Sequence, residues 1–261
     1  MPVPFDNTSI YDISEGHISC AAFSAKDSAK CAHWLATEVA HRVYDQETID
    51  GFADDVAALP AEGFDNSALL DYVNAPPTKP CLHDIGESVA DLFLIEKDDL
   101  LLPSNRRRDL RTPKGSLPGA DIAGYKKKAN GTYHFAFGEI KTSTDSASPP
   151  SVMTHTDHGM VAQLIRLYDS LEIRRQLFYY LRSRRTSAEL TFAFSSSMKS
   201  FAQGEYKLFG VLVRGVLPAS SDVLKPVAKL RAKISADKEC SVYVLHTDLA
   251  FDQWEMHCKA V

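Results

Sequence analysis

Long apolar runs are absent from this chain of 261 residues. No stretch reaches the about 18 consecutive apolar residues that a transmembrane helix needs. The first residues, MPVPFDNTSIYD, contain neither the basic segment nor the apolar segment of a secretory signal peptide. We therefore expect no membrane segment and a cytoplasmic location.

Cysteine is scarce and irregularly spaced. The five cysteines form no CxxC pair, and they are Cys20, Cys31, Cys81, Cys240 and Cys258. An odd count without paired spacing argues against a disulfide framework and against a cysteine-rich zinc site. His155 and His158 resemble a pair of zinc ligands, but no third ligand follows at a suitable spacing. We interpret these two histidines as loop or helix-cap residues.

Three common catalytic motifs are also missing. The chain contains no GxSxG nucleophile elbow, no phosphate-binding P-loop and no GxGxxG dinucleotide fingerprint. These absences exclude the common serine hydrolase, NTPase and dinucleotide-dependent classes. An NTP-driven activity would therefore belong to another subunit.

Positive charge is in short supply and locally concentrated. The net charge is −5 with a pI near 6.0, so the average field repels nucleic acid. Basic residues cluster between positions 106 and 185, whereas the first 100 residues are acidic. The clusters are Arg106, Arg107, Arg108 and Arg111; Lys126, Lys127 and Lys128; and Arg174, Arg175, Arg182, Arg184 and Arg185. Each cluster is interpreted either as a solvated surface or as a contact for a polyanion.

Hydrophobic periodicity predicts helices in the first part of the chain. Residues 25–58 are predicted to form one or two helices, with Ser24 or Asp27 as the N-terminal cap. A proline-rich segment at 74–80 marks a boundary, and the next helix covers 83–96, HDIGESVADLFLIE. Its apolar pattern leaves Glu87 as a carboxylate on a mostly buried helix.

Strand and helix patterns alternate in the second part. A β-hairpin is predicted from ADIAGYKKK, the turn residues Asn130 and Gly131, and the strand that contains FAFGEIKTS. The later elements are a helix over 157–183 capped by Asp157, strands near 188–194 and 206–216, a helix over 222–236 and a strand near 240–247. This order predicts an α/β fold with a mixed central sheet flanked by helices and an N-terminal helical extension over 1–78.

The strand FAFGEIKTS ends in two opposite charges. Because side chains alternate in a strand, Glu139 and Lys141 share the face of the aromatic residues before them. The hairpin loop decides where Asp121 lies. A two-residue loop places Asp121 opposite Ile140, and a three-residue loop with Gly131 in the left-handed conformation places it opposite Glu139. Only the second register brings the three charges together.

Two converging carboxylates and a lysine favour phosphodiester chemistry. Asp121 and Glu139 would form an oxygen-rich site that suits Mg²⁺ or Mn²⁺, and Glu87 would add a ligand directly or through water. Lys141 would orient the attacking water or offset the charge that develops on phosphorus. The alternative is an exposed ion pair of Glu139 and Lys141 at the sheet rim, worth roughly 0 to 1 kcal/mol.

The motifs PGADIAG and FGEIKTS, behind a helix that bears Glu87, resemble the PD-(D/E)XK nuclease superfamily. The resemblance covers residues 83–247 and implies a restriction-endonuclease-like core of one helix, three strands, a second helix and a further strand. It assigns metal binding to Asp121 and Glu139 and catalysis to Lys141, with Glu87 as the acid of the first helix. Residues 79–261 would be the nuclease-like domain.

Within that superfamily, the same segments resemble the HamA nuclease subunits of the Hachiman anti-phage defence system. This resemblance implies DNA as the substrate and cleavage that depends little on sequence. It also implies a HamB-like helicase partner that restrains and then releases the nuclease. Residues 1–78 become a candidate region for docking that partner.

DNA contacts are expected around the acidic site. The basic clusters at 106–111 and 126–128 would bind the DNA backbone, and His158 would contact a phosphate at the start of the next helix. Several exonuclease branches carry Gln and Tyr four residues apart on that helix, whereas Gln163 and Tyr168 are five apart, so only Gln163 is assigned to DNA binding. The rival hypothesis is a catalytically silent subunit that uses the same fold to bind DNA or a helicase.

Overall fold

A seven-stranded mixed sheet forms the centre of the molecule. The computed structural model describes residues 1–6, 8–103, 105, 109 and 119–259. The strands are β1 (Tyr11–Glu15), β2 (Ile18–Ala25), β3 (Leu100–Leu101), β4 (Ile122–Lys127), β5 (Tyr133–Ser143), β6 (Tyr206–Arg214) and β7 (Glu239–Thr247). Their order in the sheet is β1-β2-β7-β6-β5-β4-β3. The central strands β2, β7, β6 and β5 are parallel, and β1, β4 and β3 add antiparallel edges.

Helices cover both faces of this sheet. The α-helices are α1 (Ser28–Trp34), α2 (Ala40–Tyr44), α3 (Gln46–Ala58), α4 (Ser67–Val73), α5 (Leu82–Asp98), α6 (Ser151–Thr154), α7 (Met160–Asp169), α8 (Leu171–Ser183), α9 (Ala188–Ala202), α10 (Ser221–Lys233) and α11 (Phe251–His257). A π-helical turn, Leu35–Val39, joins α1 to α2, and a 3-10 turn, Leu59–Glu62, follows α3. Within the described residues, each helix is too short or too polar to cross a lipid bilayer. The predicted α/β fold with a mixed sheet flanked by helices is confirmed.

Strand β5 is buried on both faces, which explains its nearly continuous apolar sequence. On one face, Ala136 and Ile140 pack in the cluster that contains Val89 of α5. On the other face, Phe135 and Phe137 pack in the cluster formed with α7, α8 and α9. Even-numbered residues of β5 therefore face α5, and odd-numbered residues face α7.

Several predicted elements are confirmed close to their predicted bounds. They are the helix now designated α5, the strands β6 and β7, and the helix α10. The first helix begins after Asp27, whose side chain accepts a hydrogen bond from the Lys30 N–H at 2.9 Å, as a capping residue does. These elements carry strong local signals, so their sequences alone identify them.

The strand predicted near 188–194 is wrong, because these residues begin helix α9. Ser187 caps the helix by accepting a hydrogen bond from the Leu190 N–H at 3.2 Å. Small residues at Ala193, Ser196, Ser197 and Ser200 form the buried stripe of this helix. These side chains are too small to give a clear helical hydrophobic pattern. The alternating aromatic residues Phe192 and Phe194 instead resemble a strand.

The single helix predicted over 157–183 is also wrong, because the chain breaks at Ser170 into α7 and α8. Ser170 caps α8 by accepting a hydrogen bond from the Ile173 N–H at 3.3 Å. The buried Arg174 donates to the carbonyl oxygens of Leu167 and Tyr168, at the end of α7. The N-terminal cap position of α7 is Gly159, so the predicted cap at Asp157 lies in the preceding turn.

The first 78 residues contain two strands as well as helices. β1 and β2 form an antiparallel hairpin, and β2 pairs in parallel with β7. Ser19 and Ser241 face each other across that pairing, with their hydroxyl oxygens 3.0 Å apart and 222 positions between them in the sequence. No local pattern predicts a pairing over that distance, which is why a mostly helical part was expected here.

A buried ion pair holds the loop that follows β5. Arg214 and Asp222 are almost fully buried, with Nη2 and Oδ1 3.1 Å apart. Arg214 also donates to the carbonyl oxygens of Asp145 and Ala147, and Asp222 accepts a hydrogen bond from Ser148 Oγ at 2.6 Å. The pair therefore fastens the loop to the end of β6 and the start of α10.

Replacing Asp222 by alanine is expected to destabilise the fold strongly. The change leaves the Arg214 guanidinium buried without its counter-charge, which typically costs about 3 to 5 kcal/mol. Urea denaturation would measure this loss in the free energy of unfolding. Asp252→Ala, which removes an exposed acid from the first turn of α11, is the control and should cost about 1 kcal/mol or less. Equal losses in the two variants would contradict the role given to the buried pair.

Candidate functional site

The β4–β5 hairpin adopts the register of the three-residue loop. Ile122 lies opposite Gly138 and Lys127 opposite Tyr133. The Lys128 N–H donates to the Thr132 carbonyl at 2.8 Å, so the pairing continues to the loop. Gly131 has a φ of +79°, the left-handed conformation that this loop requires. Of the two registers that the sequence allows, the observed one brings Asp121 next to Glu139.

Asp121 is held against the edge of β5 by two hydrogen bonds. Its N–H donates to the Gly138 carbonyl at 3.0 Å, and its Oδ2 accepts from the Ile140 N–H at 2.9 Å. The approach to Asp121 needs a glycine, since Gly119 has a φ of +81° and a Cβ there would lie 2.7 Å from Ile173 Cγ2. The carboxylate is therefore fixed beside the Glu139 position.

Glu139 and Lys141 form an ion pair that is largely shielded from water. Lys141 Nζ lies 2.5 Å from Glu139 Oε1, and the exposed fractions of the two side chains are 17% and 3%. Glu139 pairs in register with Gly210, where a Cβ would lie 2.7 Å from Met160 Sδ. The absent side chain at Gly210 thus lets α7 approach the sheet on the Glu139 side. The pair is not the exposed ion pair of the alternative interpretation.

Burial and a neighbouring carboxylate perturb Glu139. Burial raises its pKa to about 8, the negative charge of Asp121 adds to this shift, and the ammonium of Lys141 opposes it. A carboxyl group in this position can change its protonation near neutral pH. Perturbed carboxyl groups with a nearby cation are typical of functional sites, although structural ion pairs also produce them.

Glu87 lies on the helix that covers the Thr142 face of β5. It projects from α5, whose Gly86 packs so closely against Thr142 of β5 that a Cβ would clash with the Thr142 hydroxyl. Glu87 Oε1 bonds to His83 Nε2 at 2.6 Å. The structure brings Asp121, Glu139 and Lys141 together, and Glu87 and Asp121 both act on the charge of Asp91.

Asp91 is an acidic neighbour of the site that the sequence analysis missed. It lies one helical turn after Glu87 on α5, and its Oδ2 is 2.7 Å from Arg42 Nη2. Burial raises the pKa of Asp91 to about 6, Arg42 opposes this shift, and the charges of Glu87 and Asp121 add to it. The sequence signal for Asp91 was its spacing, because residues four apart on a helix, such as Glu87 and Asp91, lie on the same face.

The two central carboxylates fit a divalent cation of the Mg²⁺ type. Mg²⁺ is usually bound by one or two protein carboxylates, with water and phosphate oxygens as its other ligands. Asp121 and Glu139 lie close enough for their charges to oppose each other, and a cation between them would remove that repulsion. Within the described residues, no group of three or more His, Cys, Asp or Glu side chains could hold a metal ion. Two carboxylates alone would leave the other ligand positions of such an ion to water or phosphate oxygens.

The lysines of the hairpin lie far from this group. Lys126, Lys127 and Lys128 are at the opposite end of β4 from Asp121, roughly 20 Å away at about 3.3 Å per residue. Lys126 bonds to Asp98, and Lys128 pairs with Glu205. All three line an open cavity of about 840 Å³. They are positioned to contact only a distant part of a long ligand.

The other residues predicted to contact DNA are the arginines at 106–111, His158 and Gln163. Arg106, Arg107, Arg108 and Arg111 lie outside the described residues. His158 is exposed before α7, and its ring stacks on His155 with centroids 5.5 Å apart. Gln163 lies on α7 with its Oε1 buried and without a hydrogen-bond partner in the described part of the chain. His158 and Gln163 are thus on the side of the sheet that α7 covers, which is also the side that Glu139 faces.

Comparisons with known proteins add no assignment. No protein-family model matches the chain, and no curated protein resembles it significantly.

Glu139→Gln is expected to change how the stability of the protein depends on pH. The pKa of Glu139 rises from its ordinary value of 4.5 to about 8 on folding, so the unfolded chain ionises first as pH increases. The wild type should therefore lose stability relative to the variant between about pH 4.5 and about pH 8 and stay level above that range. Chemical denaturation of both proteins across this range, without divalent cations, measures the difference. A difference that does not vary with pH would refute the raised pKa.

Proposed function

We propose that this protein is a metal-dependent DNA nuclease that hydrolyses phosphodiester bonds. The observation that carries the proposal is the group of Asp121, Glu139 and Lys141, assembled by the β4–β5 register at a shielded strand end. The chain order of α5, the strands β3 to β5, α7 and β6 supports a restriction-endonuclease-like core, because it follows the order expected of the PD-(D/E)XK superfamily. An anti-phage complex with a HamB-like helicase is the proposed setting.

The chain's own residues would divide the work of the reaction. Asp121 and Glu139 would hold Mg²⁺ or Mn²⁺, which when bound polarises a phosphoryl oxygen and acidifies water. Lys141 would orient the attacking water or offset charge on the phosphorus as the bond to the leaving sugar oxygen breaks. Because Glu139 binds a proton with a pKa of about 8, protons and the cation would compete for this carboxyl group. Activity should therefore rise with pH over the neutral range.

The acidic balance of the chain favours delivery by a partner. A protein of net charge −5 attracts DNA weakly as a whole, so a DNA-bound helicase would bring the substrate to the site. A silent binding subunit on the same fold would have no need for a shielded carboxylate pair and an ammonium group. The nuclease proposal gives these charges a role in the reaction, whereas the silent-subunit hypothesis makes them structural only.

Glu139→Gln and Lys141→Ala are each expected to lower DNA cleavage by about 100-fold or more, because each removes a charge at the reacting centre. The assay is nicking and degradation of supercoiled and linear DNA with Mg²⁺ or Mn²⁺, against the same reaction in EDTA. It is run on the protein alone and with the candidate helicase and ATP.

The matched controls are Glu62→Gln and Lys199→Ala, which change exposed residues elsewhere and should leave cleavage unaltered. Cleavage that survives EDTA, or that is equal in wild type and site variants, would refute the proposed chemistry. Absence of cleavage by the wild type under every condition, with the helicase present, would favour the silent subunit.

Divalent cations are expected to raise the thermal stability of the wild type and to have little effect on Asp121→Asn. A ligand that binds only the folded state stabilises it by about 2.7 kcal/mol at a concentration of about 100 Kd. Thermal unfolding with increasing Mn²⁺ or Mg²⁺ measures this effect without any need for cleavage. The control is Asp71→Asn, an exposed acid on α4, which should keep the response of the wild type. An equal response in all three proteins would place cation binding elsewhere.

A further inference from the structure

A helical arm at 46–73 stands apart from the packed sheet. It comprises α3, the 3-10 turn and α4, whose principal contacts are with one another and with α2. Val56 is its single buried residue. A segment of this length that buries one side chain gains little stability from the core of its own chain. Its conformation leaves most of both helices available to another surface.

The arm carries negative charge only. It contains seven carboxylate residues, four of them on α3, and no lysine or arginine. Asp54 and Asp55 are exposed, and the described residues include no ion-pair partner for either. This charge excludes DNA, RNA and anionic lipid surfaces as ligands of the arm.

Large apolar side chains are exposed on the same arm. The exposed fractions are 43% for Phe52, 63% for Phe64, 42% for Leu70 and 71% for Tyr72. Large apolar groups that are exposed along one segment are typical of protein contact sites. Together with the negative charge of the arm, these apolar side chains indicate a partner whose protein surface carries both cations and apolar groups.

The chain itself carries such a surface on α8. Arg175, Tyr179 and Arg182 follow one another at steps of four and three residues, so they form one stripe along the helix, which we call the arginine stripe. Tyr179 is 63% exposed, and Leu171 at the start of the helix is 76% exposed. Arg182 has no ion-pair partner among the described residues, and Arg175 pairs only with the exposed Glu172 of its own helix.

The two surfaces match in length and chemistry. α3 and α8 each have 13 residues, about 20 Å of helix at 1.5 Å per residue. Carboxylates on the arm would meet guanidinium groups on the stripe, and arginine also packs well on aromatic rings such as Phe52. Within one chain, the principal contacts of the arm are among its own elements and with α2, so the arginine stripe of the same chain is not its neighbour.

We propose that the arm of one chain docks on the arginine stripe of a second copy of this chain. Two copies related by a two-fold axis would make the contact twice, arm to stripe and stripe to arm, which closes the assembly as a dimer. The proposal does not depend on the proposed function, because none of the residues involved belongs to the site on β5.

The test is sedimentation of the full chain at low and high salt. The wild type should form a dimer in about 0.05 M NaCl that is weakened about tenfold or more in about 0.5 M NaCl, because salt screens exposed charges. The arm variant Asp54→Lys with Asp55→Lys and the stripe variant Arg175→Glu with Arg182→Glu should each be monomeric. Asp252→Lys with Glu239→Lys changes the net charge as the arm variant does, at exposed positions of α11 and β7, and should still dimerise.

Mixing the two variants provides the decisive measurement. The reversed arm of one variant matches the reversed stripe of the other, and the unchanged arm and stripe match as well, so an equimolar mixture should recover the dimer. Circular dichroism of each variant checks that it is folded. A wild type that is monomeric at both salt concentrations, or folded variants whose mixture stays monomeric, would overturn the proposal.

Discussion

The register of the β4–β5 hairpin is the constraint on which the candidate site depends. A shift of one residue would place Asp121 opposite Ile140 and turn its carboxylate away from Glu139. Gly131 has a positive φ and Asn130 does not, which fits the three-residue loop and not a two-residue turn with two left-handed residues. The conformation of this turn therefore decides whether two carboxylates and a lysine meet at the edge of β5.

Two buried ion pairs near the carboxyl ends of neighbouring strands show how differently such pairs are used. Arg214 and Asp222 are bonded to each other and to several groups of the loop after β5, so their charges are balanced and the loop is fixed. Glu139 has one cation at 2.5 Å and the opposing charge of Asp121 beside it, and its pKa is raised although Lys141 is so close. A bound cation would relieve a residual imbalance of this kind, and the imbalance distinguishes the candidate site from the balanced structural pair.

Local sequence patterns predicted much of the fold and the centre of the site. The alternation along β5 placed Glu139 and Lys141 on one face, and the hairpin rules reduced the position of Asp121 to two registers, one of which is observed. The errors arose where the structure depends on contacts between residues that are distant in the sequence. The pairing of β2 with β7 joins distant residues, and the small-residue stripe of α9 is recognisable as a helix face only once Tyr133 of β5 is known to lie beneath it.

The surroundings of the site link it to the N-terminal part of the chain. Arg42 at the end of α2 binds Asp91, and the pKa of Asp91 responds to the charge of Asp121. The carboxylates near the edge of β5 are thus balanced by a cation from α2 as well as by Lys141. The same helix leads, through Asp45 in the left-handed conformation, directly into the acidic arm. The residues before 79 are therefore part of the electrostatic environment of the site, and a partner that moved α2 would alter the charge balance around Asp121.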